Sequence, residues 1–310
     1  MGAGEIVESF RNLVGGPAGK FPSPASVKTT KHQSEAKTPS VKIRMIALDL
    51  DGTLLAPRQV ITPVVHHAVR QAIDNGVKVI LATARPPRAV RFYHRALKLD
   101  TPIVSHNGAL IWDEKKRRII HHESLSHKLV WRVVKFVRQR CPDVIVSIEI
   151  IDKLYSDHFG VVPVEALPTG CTFNPDVIAK LETFLHVPVT RVMLHGRPSL
   201  IDELNYLLPQ RFGNKLSLFR GDSRLLMLLA PDINKAVALE RVAEGYGITS
   251  REVLAIGDSP NDLPMLQWAE IGVAMANSPE SVKQAVTCVV PSNEHDGVAV
   301  ALQRYMSLMT

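Results

Sequence analysis

Five segments of this chain are apolar at nearly every position and stop at short polar words: Met45 to Leu48 before "DLDGT", "VKVILATA" (77–84) before "RPP", "TPIVSHNG" (101–108), "EVLAIGDS" (252–259) and "IGVAMANS" (271–278). A strand with one wet face alternates apolar and polar residues, whereas a strand that is apolar throughout must be covered on both faces. Amphipathic helices separate several of these runs. After Thr62-Pro63, an N-cap followed by proline at the first helical position, Val65, Ala68, Val69, Ala72 and Ile73 recur at helical spacing until Asn75-Gly76. The pattern predicts an α/β fold with a Rossmann-like parallel sheet.

The alternation covers about residues 44–125 and resumes over 227–310. Between them the character changes. A helix is expected over Leu129 to Val137, strands over Val144 to Ile151 and Leu154 to His158, helices near Pro175 to Leu185 and Pro198 to Leu208, and strands over Val189 to Leu194, Leu216 to Phe219 and Arg224 to Leu229. This stretch, 126–226, reads as an inserted α+β domain. Residues 1–43, rich in Ser, Thr, Lys, Pro and Gly without apolar period, read as a flexible leader.

Composition narrows the function classes. The net charge of +7 is concentrated partly in the leader, without the interleaved aromatics that bind single strands, so no nucleic-acid partner is expected. No apolar run approaches the ~18 residues of a membrane span. Cys141, Cys171 and Cys288 are odd in number and widely spaced, which implies neither a disulfide framework nor a zinc site. A reducing, cytoplasmic setting follows, or an organellar one if the leader is a transit peptide.

The chemistry sits at the strand ends, where open α/β sheets bind their ligands. Asp49 and Asp51, two apart on extended backbone, leave on one face before the turn Gly52-Thr53. One such aspartate alone reads as a turn or cap residue. Here, however, Thr83 and Arg85 end the second strand, Asp258, Asn261 and Asp262 follow the fourth, and Lys235 opens the helix "NKAVALERVAEGYG". A hydroxyl, a lysine and four carboxylates suit Mg²⁺-assisted phosphoryl transfer: hard oxygen ligands for the metal, cations and donors for the phosphoryl oxygens.

From about residue 44 to 308 the sequence resembles the haloacid-dehalogenase-like hydrolases, and within them the Cof-like phosphatases. The order DxDGT, T-x-R, Lys, GDxxND is reproduced, and "NG" (Asn107-Gly108), "IGVAMANSPESVKQAV" and "NEHDGVAVAL" are similar to that branch. The resemblance implies that Asp49 is the nucleophile that becomes an aspartyl-phosphate and that Asp51 is the general acid and then base. It implies Mg²⁺ on Asp49, the Asp51 carbonyl and Asp258, with Asp262 in or near the shell around them. Thr83 and Lys235 then bind phosphoryl oxygens, and Gly52, Arg85, Asn107 and Asn261 complete phosphate or substrate binding. The inserted domain becomes a cap over a hydrolase core.

Two positions depart from the pattern: Ala84 stands where the second motif often has glycine, and Pro260 precedes Asn261. The second aspartate and Thr53 are the phosphatase version of the first motif, so dehalogenation is disfavoured. The expected partner is a small phosphomonoester, a sugar phosphate or nucleotide-like compound. A phosphomutase would use the same core residues, and a non-catalytic binding protein would be expected to have lost a carboxylate. The oligomeric state is not legible.

Several further features have two readings. Arg85, Arg88, Arg91 and Arg95 share a helix face, either a cationic guide for phosphorylated substrates or a solvated face. His66-His67 and His121-His122 lack the i, i+4 spacing of a helical metal site and read as surface residues. Trp112, Trp131 and Trp268 read as packing residues. Residues 157–175, with three prolines and two glycines, are either a substrate-contacting loop or a solvated connection.

Overall fold

A computed structural model describes residues 42–158 and 175–309. The expected leader, apart from residues 42 and 43, and the expected substrate loop, apart from 157, 158 and 175, lie outside the described residues. The described chain forms two compact units, one over 42–56, 61–80 and 239–309 and the other over 57–60, 81–158 and 175–238.

The first unit is built on a five-stranded sheet of order β14-β13-β12-β1-β2, comprising β1 (Met45–Leu48), β2 (Lys78–Leu81), β12 (Val253–Gly257), β13 (Ile271–Met275) and β14 (Cys288–Val290). The pairs β1/β12, β12/β13 and β13/β14 are parallel. Every residue of β1, β12 and β13 is buried, as strands covered on both faces require. Helix α1 (Pro63–Asp74) starts where expected: the Thr62 hydroxyl accepts the Val65 amide at 3.2 Å and Pro63 occupies the first turn. Its buried residues are Val65, Ala68, Val69 and Ala72, and the helix packs against α8 (Gly297–Arg304). Full burial of such a valine contributes ~2 kcal/mol.

The second unit contains a six-stranded sheet of order β10-β11-β9-β6-β7-β8: β6 (Ile145–Ile150), β7 (Lys153–Ser156), β8 (Val177–Ile178), β9 (Arg191–His195), β10 (Ser217–Asp222) and β11 (Leu225–Leu229). All its pairs are antiparallel except β7/β8. Helices α3 (His127–Arg140) and α4 (Pro198–Phe212) form as expected.

Two expectations are corrected. The segment near Pro175 to Leu185 is not a helix: Val177–Ile178 pairs with Tyr155–Ser156, Asp176 accepts the Leu154 amide at 2.7 Å, and only a 3₁₀ turn follows at Leu181–Thr183. The β-branched Val177 and Ile178 fit a sheet edge better than a helix. The third apolar run yields only β3 (Ile103–Ser105). It begins a three-stranded antiparallel sheet with β4 (Leu110–Asp113) and β5 (Arg118–His122), and reaches Ala82 through one isolated parallel bridge.

Candidate active site

In the first unit, the parallel register sets Leu48 opposite Ile256, and the Asp49 amide donates to the Ile256 carbonyl at 3.0 Å. Asp49 and Asp258 therefore leave the same carboxyl edge of neighbouring strands. The loop after β12 brings in a third carboxylate. Asp262 Oδ2 accepts the Asp258 amide at 3.0 Å, the Ser259 amide at 2.9 Å and the Ser259 hydroxyl at 2.8 Å, a capping box closed over Pro260–Asp262. Asn261, on the same turn, pairs with the Ser259 hydroxyl. Gly257 makes room, since a Cβ there would lie 2.7 Å from the Asp262 side chain.

Asp49, Asp258 and Asp262 each offer one oxygen within 4.8 Å of the others, and Asp49 and Asp262 are buried. At 4.8 Å and an effective dielectric of about 20, two ionised carboxylates repel by roughly 3 kcal/mol. A divalent cation reverses the sign of that term, and a set of hard oxygen donors matches Mg²⁺ or Ca²⁺ better than a thiolate- or imidazole-seeking metal. The donor set therefore fits a divalent metal. It is the one group of its kind among the described residues.

The first-motif turn is tied to this cluster. Thr53 donates its hydroxyl to Asp258 Oδ1 at 3.2 Å, and Gly52 adopts φ +77° where a Cβ would meet Asp258 Oδ2 at 2.3 Å. Asp51 is exposed and its backbone bridges to Leu55. Sequence reasoning missed Asn277, whose side-chain amide donates to the Gly52 carbonyl at 2.9 Å and to Asp258 Oδ2 at 3.4 Å. Asn293 in turn donates its amide to Asn277 Oδ1 at 3.2 Å. The signal was present in "MANS" at the end of β13, the same strand-end rule that picked out the aspartates.

The second unit gathers the other candidates. Thr83 is fully buried, its hydroxyl accepts the Arg85 amide at 3.1 Å, and its carbonyl accepts the Asn107 amide at 3.0 Å. His106 and Asn107 both turn through positive φ, 52° and 57°. Gly108 follows with its backbone against Asn234, where a Cβ would stand 2.3 Å from the carbonyl oxygen. Lys235, next in the chain, opens α5 (Lys235–Gly245) and is fully buried, a setting in which a lysine is seldom found unless paired. The second and third motifs thus lie together around Thr83, Asn107 and Lys235.

The arginine face of α2 (Pro87–Ala96) resolves into ion pairs. Arg88 bonds Glu149, Arg91 meets Glu114 at 2.7 Å and Asp152 at 3.2 Å, and Arg95 meets Glu114 at 3.0 Å. It is not an open cationic guide. Arg85 is buried, bonded to Gln59 and placed over the Tyr93 ring at 5.8 Å. His121 bonds Glu123 and His122 bonds the Thr190 hydroxyl, while Trp112 is buried against Glu114.

Residues 46–302 match the family model of the haloacid dehalogenase-like hydrolases. The chain is 31% identical to the 5-amino-6-(5-phospho-D-ribitylamino)uracil phosphatase YitU of Bacillus subtilis, over 85% of this chain and 98% of that protein. It is 29% identical to the 5-amino-6-(5-phospho-D-ribitylamino)uracil phosphatase YcsE of Bacillus subtilis, over 86% of this chain and 97% of that protein. A haloacid dehalogenase-like hydrolase from Bacteroides thetaiotaomicron superposes with a TM-score of 0.75 at 26% identity, covering 85% of this chain and 99% of that one.

Proposed function

We propose that this chain, which belongs to the haloacid dehalogenase-like hydrolases and is a phosphoric monoester hydrolase, acts through an aspartyl-phosphate on Asp49 and depends on Mg²⁺. The observation that carries the reading is the trio Asp49, Asp258 and Asp262, with two of its carboxylates buried. Asp49, the Asp51 carbonyl and Asp258 would hold the ion, with Asp262 beside them. Its chemistry there is to offset charge between carboxylates and phosphate and to polarise phosphoryl oxygens.

The chain's own residues carry the steps. An Asp49 oxygen forms the new bond to phosphorus as the ester P–O bond breaks, and Asp51 gives a proton to the departing alkoxide. Asp51 then takes a proton from the water that hydrolyses the aspartyl-phosphate, which restores both groups. Thr83 and Lys235 bind phosphoryl oxygens in this reading, on the strength of the motif order, and Lys235 offsets the anionic charge. Gly52, Asn107 and Asn261 add polar contacts to the phosphate, and Arg85 braces the loop of Thr83. Residues 126–226 serve as the cap that selects the leaving group over a core of 44–125 and 227–310.

For substrate we propose a sugar phosphate or nucleotide-like monoester. The first to test is 5-amino-6-(5-phospho-D-ribitylamino)uracil, which the relatives' names point to and which joins a sugar-alcohol phosphate to a pyrimidine. The setting we propose is cytoplasmic. No helix among the described residues is long and apolar enough to cross a membrane.

The test is phosphate release from that compound and a panel of phosphorylated metabolites, with and without Mg²⁺. Turnover should stop in excess EDTA, and Ca²⁺ should inhibit because its looser coordination fails the near-octahedral demand. Asp49→Asn should lose about three orders of magnitude or more in kcat while remaining folded. Full turnover in EDTA, or an Asp49→Asn variant active within about tenfold of the parent, would overturn the reading.

A further inference from the structure

Three consecutive carbonyls shape the loop that carries Thr83, and each has its own donor. The Thr83 carbonyl accepts the Asn107 amide at 3.0 Å and the Arg85 carbonyl accepts the His106 amide at 3.2 Å. The middle one, Ala84, accepts a side chain instead: Arg191 Nη1 on β9, at 2.8 Å. The Nε of the same guanidinium bonds Glu149 Oε2, and the other oxygen of Glu149 bonds Arg88. Glu149 lies on β6, fully buried within the run "IVSIEI". The His106 ring completes the cluster, with Nε2 3.0 Å from the Ile151 carbonyl and Nδ1 3.5 Å from Glu149 Oε2.

Stability alone does not account for this arrangement. A buried ion pair contributes little net stability compared with apolar residues of the same volume, because desolvation consumes most of the Coulomb attraction. What the pair does supply is a rigid donor of fixed direction. One planar guanidinium reaches Glu149 from Nε and Ala84 from Nη1, two nitrogens held at a fixed spacing, whereas lysine has one nitrogen on a flexible stem and no such fork. We infer that Glu149 and Arg191 are positioning residues that hold the Thr83–Arg85 loop in the shape that binds the phosphoryl group. The inference rests on the proposed role of Thr83. It assigns work to two residues of the six-stranded sheet that lie outside the four motifs.

Arg191→Lys tests it, because the charge beside Glu149 is kept while the second bond is lost. The expected result is a kcat lowered roughly 10–100-fold with KM changed less. The factor should be the same on p-nitrophenyl phosphate and on a larger ester, since the loop serves the group that both share. In a Thr83→Ala background the further loss should shrink to about twofold or less, because residues acting through one another are not additive. A folded Arg191→Lys with kcat near the parent's, or losses that multiply fully with Thr83→Ala, would overturn the inference while leaving the phosphatase reading intact. Thr83→Ala with unchanged kinetics would overturn both the phosphoryl-binding role of Thr83 and the inference built on it. Should Arg191→Lys fail to fold, Glu149→Met/Arg191→Met removes the pair without leaving either charge behind, and the same loss and the same non-additivity are expected. Failure of both to fold would assign the pair to structure alone.

Discussion

At the residue scale, Gly52 and Gly247 separate two consequences of a positive φ. Both lie in the left-handed region, at +77° and +63°, but a Cβ on Gly52 would strike Asp258 Oδ2 at 2.3 Å whereas one on Gly247 meets nothing within 4 Å. Gly247→Ala should therefore cost about 1 kcal/mol of stability and leave kcat unchanged. Gly52→Ala should cost at least as much and also push a proposed metal ligand aside, lowering kcat by ~100-fold or more and raising the Mg²⁺ concentration needed for half activity. Thermal melts and Mg²⁺ titrations of the two variants check this; equal kinetics would detach Gly52 from the metal cluster. The aspartates were readable because carboxylates at the ends of apolar strands have no cheaper explanation once several occur together. Asn277 was not singled out, because a neutral amide at a strand end looks like any turn residue until the register of β13 against β12 places it beside Asp258.

At the element scale, what was readable depended on whether local pattern and tertiary pairing agree. The strands β1, β12 and β13 were evident because burial on both faces writes itself as an unbroken apolar run. Strand β14, with half-buried Cys288 and exposed Val289, carries no such signal, and its place is set by pairing with β13. The segment near Val177 follows the same rule, since β7 decides its conformation. Glu149 was passed over for a related reason: one carboxylate inside an apolar strand gives no hint that Arg88 and Arg191 converge on it. Helix α1 is the opposite case, with its start written locally in Thr62-Pro63. Thr62 also reaches Asp296, ahead of α8. Thr62→Ala should thus lose about 1–2 kcal/mol, lowering Tm by roughly 2–4 °C for a chain of this size, with kcat unaltered. A Tm within error of the parent's would mean that water caps the helix equally well.

At the scale of the whole molecule, buried ionisable groups set how the protein responds to acid. Burial, then the charges of Arg191 and Arg88, hold the His106 imidazole down to about 3 against the pull of Glu149. Burial also lowers His122 and His195 to about 4, His122 with the help of His121 and His195 against the attraction of Asp222. Such histidines stay neutral in the folded chain while the unfolded chain takes up protons below its ordinary value near 6.5. Stability is therefore complete above that value and falls as pH drops toward 4, by about 2 kcal/mol per histidine at pH 5. Glu149 acts in a lower window. Burial alone would raise its carboxyl, but the Arg191 and Arg88 guanidiniums bring it down to about 2, so its contribution is present above the ordinary glutamate value of 4.5 and is lost as pH falls toward 2. A protein held only by paired carboxylates would keep a flat profile from pH 7 to 5, whereas this one should already weaken there. Urea midpoints at pH 7, 6 and 5, at constant high ionic strength to screen the net charge of +7, measure the slope. His122→Gln should remove part of it, since an amide keeps a bond to the Thr190 hydroxyl without taking up a proton. A midpoint unchanged between pH 7 and pH 5 would mean that the unfolded and folded chains bind the same protons in that range, and that these histidines titrate normally in the folded state.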